Sequence, residues 1–164
     1  MTANVSCRFL NKTPFDVTWK FYLRHPKGRF DINGKMGAID VADLNPLSEP
    51  MGPARLEKGE MKGFTFDFIG TDYAMNGTMQ LLYDNLKIAV LEKDKGATEW
   101  DKKSLTSFVA NIMIKDSNLK DKHADRRMIT VTNDRNTNRS LFNLAWKTIF
   151  KGVKQTIGAP AKGS

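Results

Sequence analysis

Apolar and polar residues alternate through the first two thirds of the chain. Val5, Cys7 and Phe9 share one face of a first strand, which Asn11-Lys12-Thr13-Pro14 breaks because proline donates no ladder hydrogen bond. Val17, Trp19, Phe21 and Leu23 fall on one side of a second strand, with Thr18, Lys20 and Tyr22 on the other. His25-Pro26-Lys27-Gly28 reads as a turn. Phe30, Ile32, Gly34 and Met36 read as a third strand, within which Asn33-Gly34 is a competing hairpin signal.

The pattern then changes. Asp40 is placed to cap one short helical turn, and Pro46, Pro50 and Pro53 forbid a long regular element. Alternation resumes from Leu56 to Gly70, with Phe64, Phe66 and Phe68 on one side, Thr65 and Asp67 on the other, and a bulge or bend expected at Lys58-Gly59-Glu60. Met75, Gly77, Met79, Leu81 and Tyr83 define the next strand. Asp84-Asn85 reads as a two-residue hairpin turn into Lys87–Leu91.

Beyond Lys93 the period becomes helical. Thr98-Glu99-Trp100-Asp101 resembles a capping box, and Leu105, Phe108, Val109, Ile112 and Met113 follow at i, i+3, i+4 spacing. Asn118–Asp125 is a polar loop, and Met128–Thr132 is β-branched enough for one more strand. A final helix is expected from about Ser140 to Ile157. Phe142, Ala145, Trp146, Ile149, Phe150, Val153 and Ile157 lie within a ~140° sector of it, with Lys147, Lys151 and Lys154 opposite.

These elements predict a mainly β (α+β) protein: a single curved antiparallel sheet of about six to seven strands with two packed helices, the last amphipathic and C-terminal. The organisation is one domain over 1–164, with a β-rich sheet at 1–93, a helix plus a strand at 94–133, the amphipathic helix at 134–157 and a flexible tail at 158–164.

Composition narrows the function classes. The formal charge is +8, but residues 138–164 hold five basic residues and no acidic one, so the remainder is nearly balanced. A basic amphipathic tail is a different signal from a nucleic-acid groove with interleaved stacking aromatics. No RNP, KH or zinc-finger pattern accompanies it, so no nucleic-acid partner is expected. No run approaches the ~18 apolar residues that would cross a bilayer. The final helix, roughly 24 Å long, is too short and too charged to do so.

Candidate chemistry is sparse. His25 belongs to a turn, and His123 sits in the lysine- and arginine-rich loop Asp121–Asp125, a spacing that matches no metal-ligand pattern. Glu57 and Glu60 converge only if the glycine bulge rotates one of them. Asp67 and Asp72 read as surface carboxylates, and Cys7 as a small core hydrophobe. No G-x-S-x-G, P-loop or G-x-G-x-x-G motif occurs. The expectation is a non-enzyme with no catalytic residue, metal or cofactor.

What remains is apolar surface. Trp19, Phe21, Phe64, Phe66, Phe68, Met75, Met79 and Leu81 line one face of the sheet, as a core covered by the helices or as a groove for acyl chains, where methionine adapts to varied shapes. The terminal helix either buries its stripe in protein, the commoner outcome, or turns Trp146 and Phe150 to a bilayer or a partner, with Lys147, Lys151 and Lys154 nearby.

Gly34–Asp40, Leu44–Pro50 and Ala54–Gly59 resemble the C-terminal domain of AsmA-like envelope proteins, in a Bacteroidetes-type branch that carries a domain of unknown function. Phe64 to Leu91 continues the resemblance, as do Asn138–Asn143 and Trp146–Phe150. The resemblance implies a periplasmic protein of a Gram-negative envelope, related to bridge-like lipid-transfer systems in which a long curved sheet lines an apolar groove. It also implies a module excised from a longer chain. The expected function is a non-enzymatic contribution to lipid transport or outer-membrane maintenance. Its implied partners are phospholipid or another envelope lipid, and a membrane surface or envelope protein at the terminal helix. The alternative is a protein–protein interaction or scaffold module that carries no lipid.

Overall fold

The computed structural model describes residues 1–48, 54–93, 105–108, 117–119 and 128–158. Among the described residues eight strands form one antiparallel sheet: β1 (Thr2–Phe9), β2 (Thr13–Phe21), β3 (Phe30–Met36), β4 (Ile39–Asp40), β5 (Ala54–Gly70), β6 (Ala74–Lys93), β7 (Leu105–Phe108) and β8 (Met128–Asp134). The order across the sheet is β1-β2-β3-β5-β6-β7, with β4 added to β5 and β8 to β6. The described helical elements are a 3₁₀ turn (Val41–Leu44), a one-turn helix α1 (Asn45–Ser48) and the long helix α2 (Leu141–Ile157). This is the mainly β, curved-sheet architecture that the alternation predicts.

Register carries one apolar face across the strands, because cross-strand partners point the same way. Val5 pairs with Val17, Trp19 with Ile32, Ile32 with Phe68, Phe66 with Met79, and Met79 with Ile129. Glycines on this face lie beneath aromatic rings. A Cβ on Gly34 would stand 2.4 Å from the Phe66 ring, and one on Gly70 would stand 2.0 Å from the Phe30 ring, each ring belonging to the glycine's cross-strand partner. The rings thus fill space that a side chain would take.

Three local expectations hold. The Asp40 carboxylate accepts from Ala42 N at 2.9 Å and caps the 3₁₀ turn. The final helix runs as expected, over Leu141–Ile157; Ser140 caps it by accepting from Asn143 N at 3.2 Å, and Gly158 closes it at φ 75°. His25 Nδ1 accepts from Lys27 N within its turn.

Four expectations are corrected. Asp84-Asn85 is not a hairpin: β6 runs straight through it, and the register against β5 shifts at Leu56/Lys58, Lys58/Glu60 and Met61/Gly63. Asn85 takes φ 53° opposite Gly59 at φ 129°, so the left-handed residue that signals a turn serves a bulge instead. Leu105–Phe108, expected within a helix, is a strand on Val90–Lys93, where a free sheet edge outweighs helical spacing; the rest of that expected helix lies outside the described residues. Leu23 is 77% exposed in a turn beyond β2 rather than on its apolar face. Cys7 is exposed, not core, because β1 ends the strand order and is exposed along nearly its whole length.

The long edge of β6 is closed in three pieces. β8 pairs with Ala74–Gln80 and β7 with Val90–Lys93. Between them the buried Asn118 takes the place of a strand. Its Oδ1 accepts from Tyr83 N at 3.0 Å, its Nδ2 donates to Leu81 O at 2.6 Å, and its own N donates to Tyr83 O at 3.2 Å. Nothing in the polar pattern of that loop marks Asn118 as buried.

Candidate functional site

The eight apolar-face candidates do share one surface, but not one environment. Phe64, Phe66, Phe68, Met75, Met79 and Leu81 are buried, in one cluster with Phe30, Ile32, Tyr83 and Val131. Trp19 and Phe21 are half-buried and only pack against that cluster from its flank. Their rings stack at 5.3 Å and 14°, and Phe66 stacks on Phe68 at 5.4 Å and 20°. The middle of the face is therefore core, while its β1–β2 end is not. Val5 is 54% exposed, Cys7 is exposed, and Phe15 and Val17 are half-buried. Across the residues of β1, β2 and β3 that point this way no charge intervenes. Trp19 Nε1 is buried without a hydrogen-bond partner, a donor left unmatched beside this open end.

The helix docks by a different flank from the one its hydrophobic stripe suggests. Leu144, Ala145, Thr148, Gly152 and Ile157 are buried, and their centre lies about 115° round the helix from that of the stripe. Gly152 sets the approach: a Cβ there would lie 2.0 Å from Met79 Sδ and 2.8 Å from Val131 Cγ2. Thr148 satisfies itself by donating to Leu144 O at 2.8 Å. The stripe is divided as a result. Ala145 and Ile157 are buried, Ile149 and Val153 are half-buried against the core, Trp146 and Phe150 are half-buried, and Phe142 is 69% exposed. Close approach of small residues, rather than apolar area, decides which side meets the sheet.

The lysines are distributed in turn. Lys151 Nζ donates to Thr132 O of β8 at 2.7 Å, Lys154 Nζ lies 5.0 Å from the centre of the Phe150 ring, and Lys147 is exposed. Arg135 N bonds Tyr73 O, so alternate residues of β8 (Asp134, Thr132, Thr130) direct their backbone groups away from β6. Lys151 therefore caps the outer edge of the sheet.

Polar chemistry stays limited. Glu57 and Glu60 do not converge. Glu60 instead joins Asp40, Asp84, Lys58, Gly59 and Asn85 around a depression of about 280 Å³ at the bulge. There Asp40 caps a turn and Glu60 is paired with Lys62 at 2.5 Å. Asp67 lies within β5, whereas Asp72 sits in the following loop against Arg135 at 3.3 Å. Among the described residues no group of His, Cys, Asp and Glu is arranged to hold a metal ion, and no helix is long and apolar enough to cross a membrane. His123 lies outside the described residues.

On the face opposite the apolar one, Asp31 accepts from Tyr22 Oη at 2.6 Å and from Arg29 Nε at 3.1 Å. Burial pushes its carboxyl upward, but the Tyr22 hydrogen bond and the Arg29 and Lys20 charges outweigh that and hold it below the usual range. Arg29 and Lys20 each lie 5.0 Å from the centre of the Tyr22 ring, making this a cross-strand brace between β2 and β3.

No protein-family model, no curated protein and no solved structure matches the chain.

Proposed function

We propose that the protein is a non-enzymatic, AsmA-like module of the cell envelope that contributes to lipid transport or outer-membrane maintenance, with acyl chains contacting the open end of its apolar face. One observation carries this reading: the surface that is core at β5 and β6 runs on without a charged residue to β2 and β1, where Val17 and Trp19 are half-buried and Val5 and Cys7 exposed. Apolar surface continuous with a core and open at one end favours an apolar occupant. Phe142, Trp146 and Phe150, with Lys147 and Lys154 nearby, suit the interfacial layer of an anionic membrane.

The test is solvent extraction and native mass spectrometry of protein purified without detergent from a Gram-negative host. Phospholipid held in defined stoichiometry is the expected outcome, and lipid-free protein counts against carriage. The strongly exposed Phe142 favours a second reading, in which α2 docks another envelope protein and no lipid is held.

A further inference from the structure

The two outer edges of the sheet are treated differently. Lys151 and α2 guard the β8 edge, a familiar protection against edge-to-edge pairing. Among the described residues the β1 edge has no such guard. Met1 and Phe21 exchange both backbone hydrogen bonds, Met1 N to Phe21 O at 2.9 Å and Phe21 N to Met1 O at 2.8 Å. Antiparallel ladders alternate, so Ala3, Val5 and Cys7 also bond inward to β2, whereas Thr2, Asn4, Ser6 and Arg8 direct N–H and C=O outward. The pairing with β2 is unbroken from Thr2 to Phe9, with no bulge and no proline on β1. Thr2 to Arg8 is exposed throughout, and Arg8 is its only charged side chain.

From this edge we infer that the protein self-associates, β1 pairing antiparallel with β1 of a second copy about a two-fold axis through Val5. The occupant follows from self-complementarity. In this register Asn4 lies opposite Ser6 of the second copy and Thr2 opposite Arg8, so the outward groups form hydrogen-bonded pairs and the two arginines stand at opposite ends. Val5 meets Val5, and Ala3 meets Cys7, which joins the two apolar faces into one. A shift of one residue would set those positions against the polar face. The net charge of +8 on each copy opposes association, so added salt strengthens the dimer. The inference does not depend on lipid binding.

The test is a disulfide trap with sedimentation. Val5 and Val5 form a non-hydrogen-bonded pair with Cα atoms about 4.5 Å apart, within disulfide reach. Val5→Cys combined with Cys7→Ser should therefore give a covalent dimer under mild oxidation. Wild-type protein should not bridge, because Cys7 faces Ala3. Sedimentation of the wild type should show a reversible dimer that grows with concentration and salt. Ser6→Pro removes an outward N–H without touching the β1–β2 ladder, so it should weaken that dimer at least about tenfold while circular dichroism and Tm hold. A wild-type chain that stays monomeric at high concentration and salt overturns the inference. So does a Cys7–Cys7 bridge in place of the Val5→Cys bridge.

Discussion

Replacing Gly152 by alanine decides which flank of α2 meets the sheet. In an open helix the change is favourable by about 1 kcal/mol, since glycine is a poor helix former. Here the added Cβ would sit 2.0 Å from Met79 Sδ and 2.8 Å from Val131 Cγ2. The Met79 thioether is flexible, but the residue is 1% exposed and Val131 is 0% exposed, so neither moves aside into solvent. Overpacking of this kind costs about 1–3 kcal/mol, which leaves a net loss of up to about 2 kcal/mol after the helical gain. For a chain of this size that lowers Tm by up to roughly 8 °C. Phe142→Ala, at a strongly exposed stripe position, should change stability by less than about 0.5 kcal/mol. Paired thermal and urea melts measure both. If the hydrophobic stripe were the docked flank the signs would reverse: Gly152→Ala would stabilise, and Phe142→Ala would cost several kcal/mol. That result would refute the packing described.

Two further perturbations probe the sheet. Asn118→Ala strands the buried Tyr83 N–H and Leu81 C=O, and should cost about 2–5 kcal/mol with loss of hydrogen-exchange protection at Tyr83; a loss below about 0.5 kcal/mol would contradict the bridging role. Asp31, held below the usual carboxylate range, contributes stability that is present above its unfolded-state pKa of about 3.8 and lost as pH falls through the lower folded-state value. Asp31→Asn should flatten the dependence of the urea midpoint on pH below about 4, and parallel curves for the two proteins would dismiss the brace.

Strands were legible where period-two alternation meets a sheet with one buried face: Phe64, Phe66 and Phe68, or Met75, Met79 and Leu81, declare both element and side. The Asp40 cap was legible because a side chain bonds its own neighbouring backbone. Features set by distant partners were not. Asn85 adopts the same left-handed backbone in a bulge as in a turn, and only Gly59 on the facing strand distinguishes them. Leu105 and Phe108 keep helical spacing while a free edge of β6 claims them. In α2 a hydrophobic stripe ranks Trp146 and Phe150 above Gly152, but docking rewards the residue that lets Met79 and Val131 come close. Of the candidate site, the shared face could be read from the sequence. That it divides into a buried middle and an open β1–β2 end could not, since that depends on where α2 lies.

The lipid content of the native protein separates an acyl-chain surface from an empty apolar edge. Protein purified without detergent should yield phospholipid on extraction, and stripping that lipid should speed alkylation of Cys7, which lies on the open end of the face. Lipid-free protein whose Cys7 reacts at the same rate before and after extraction would contradict the account.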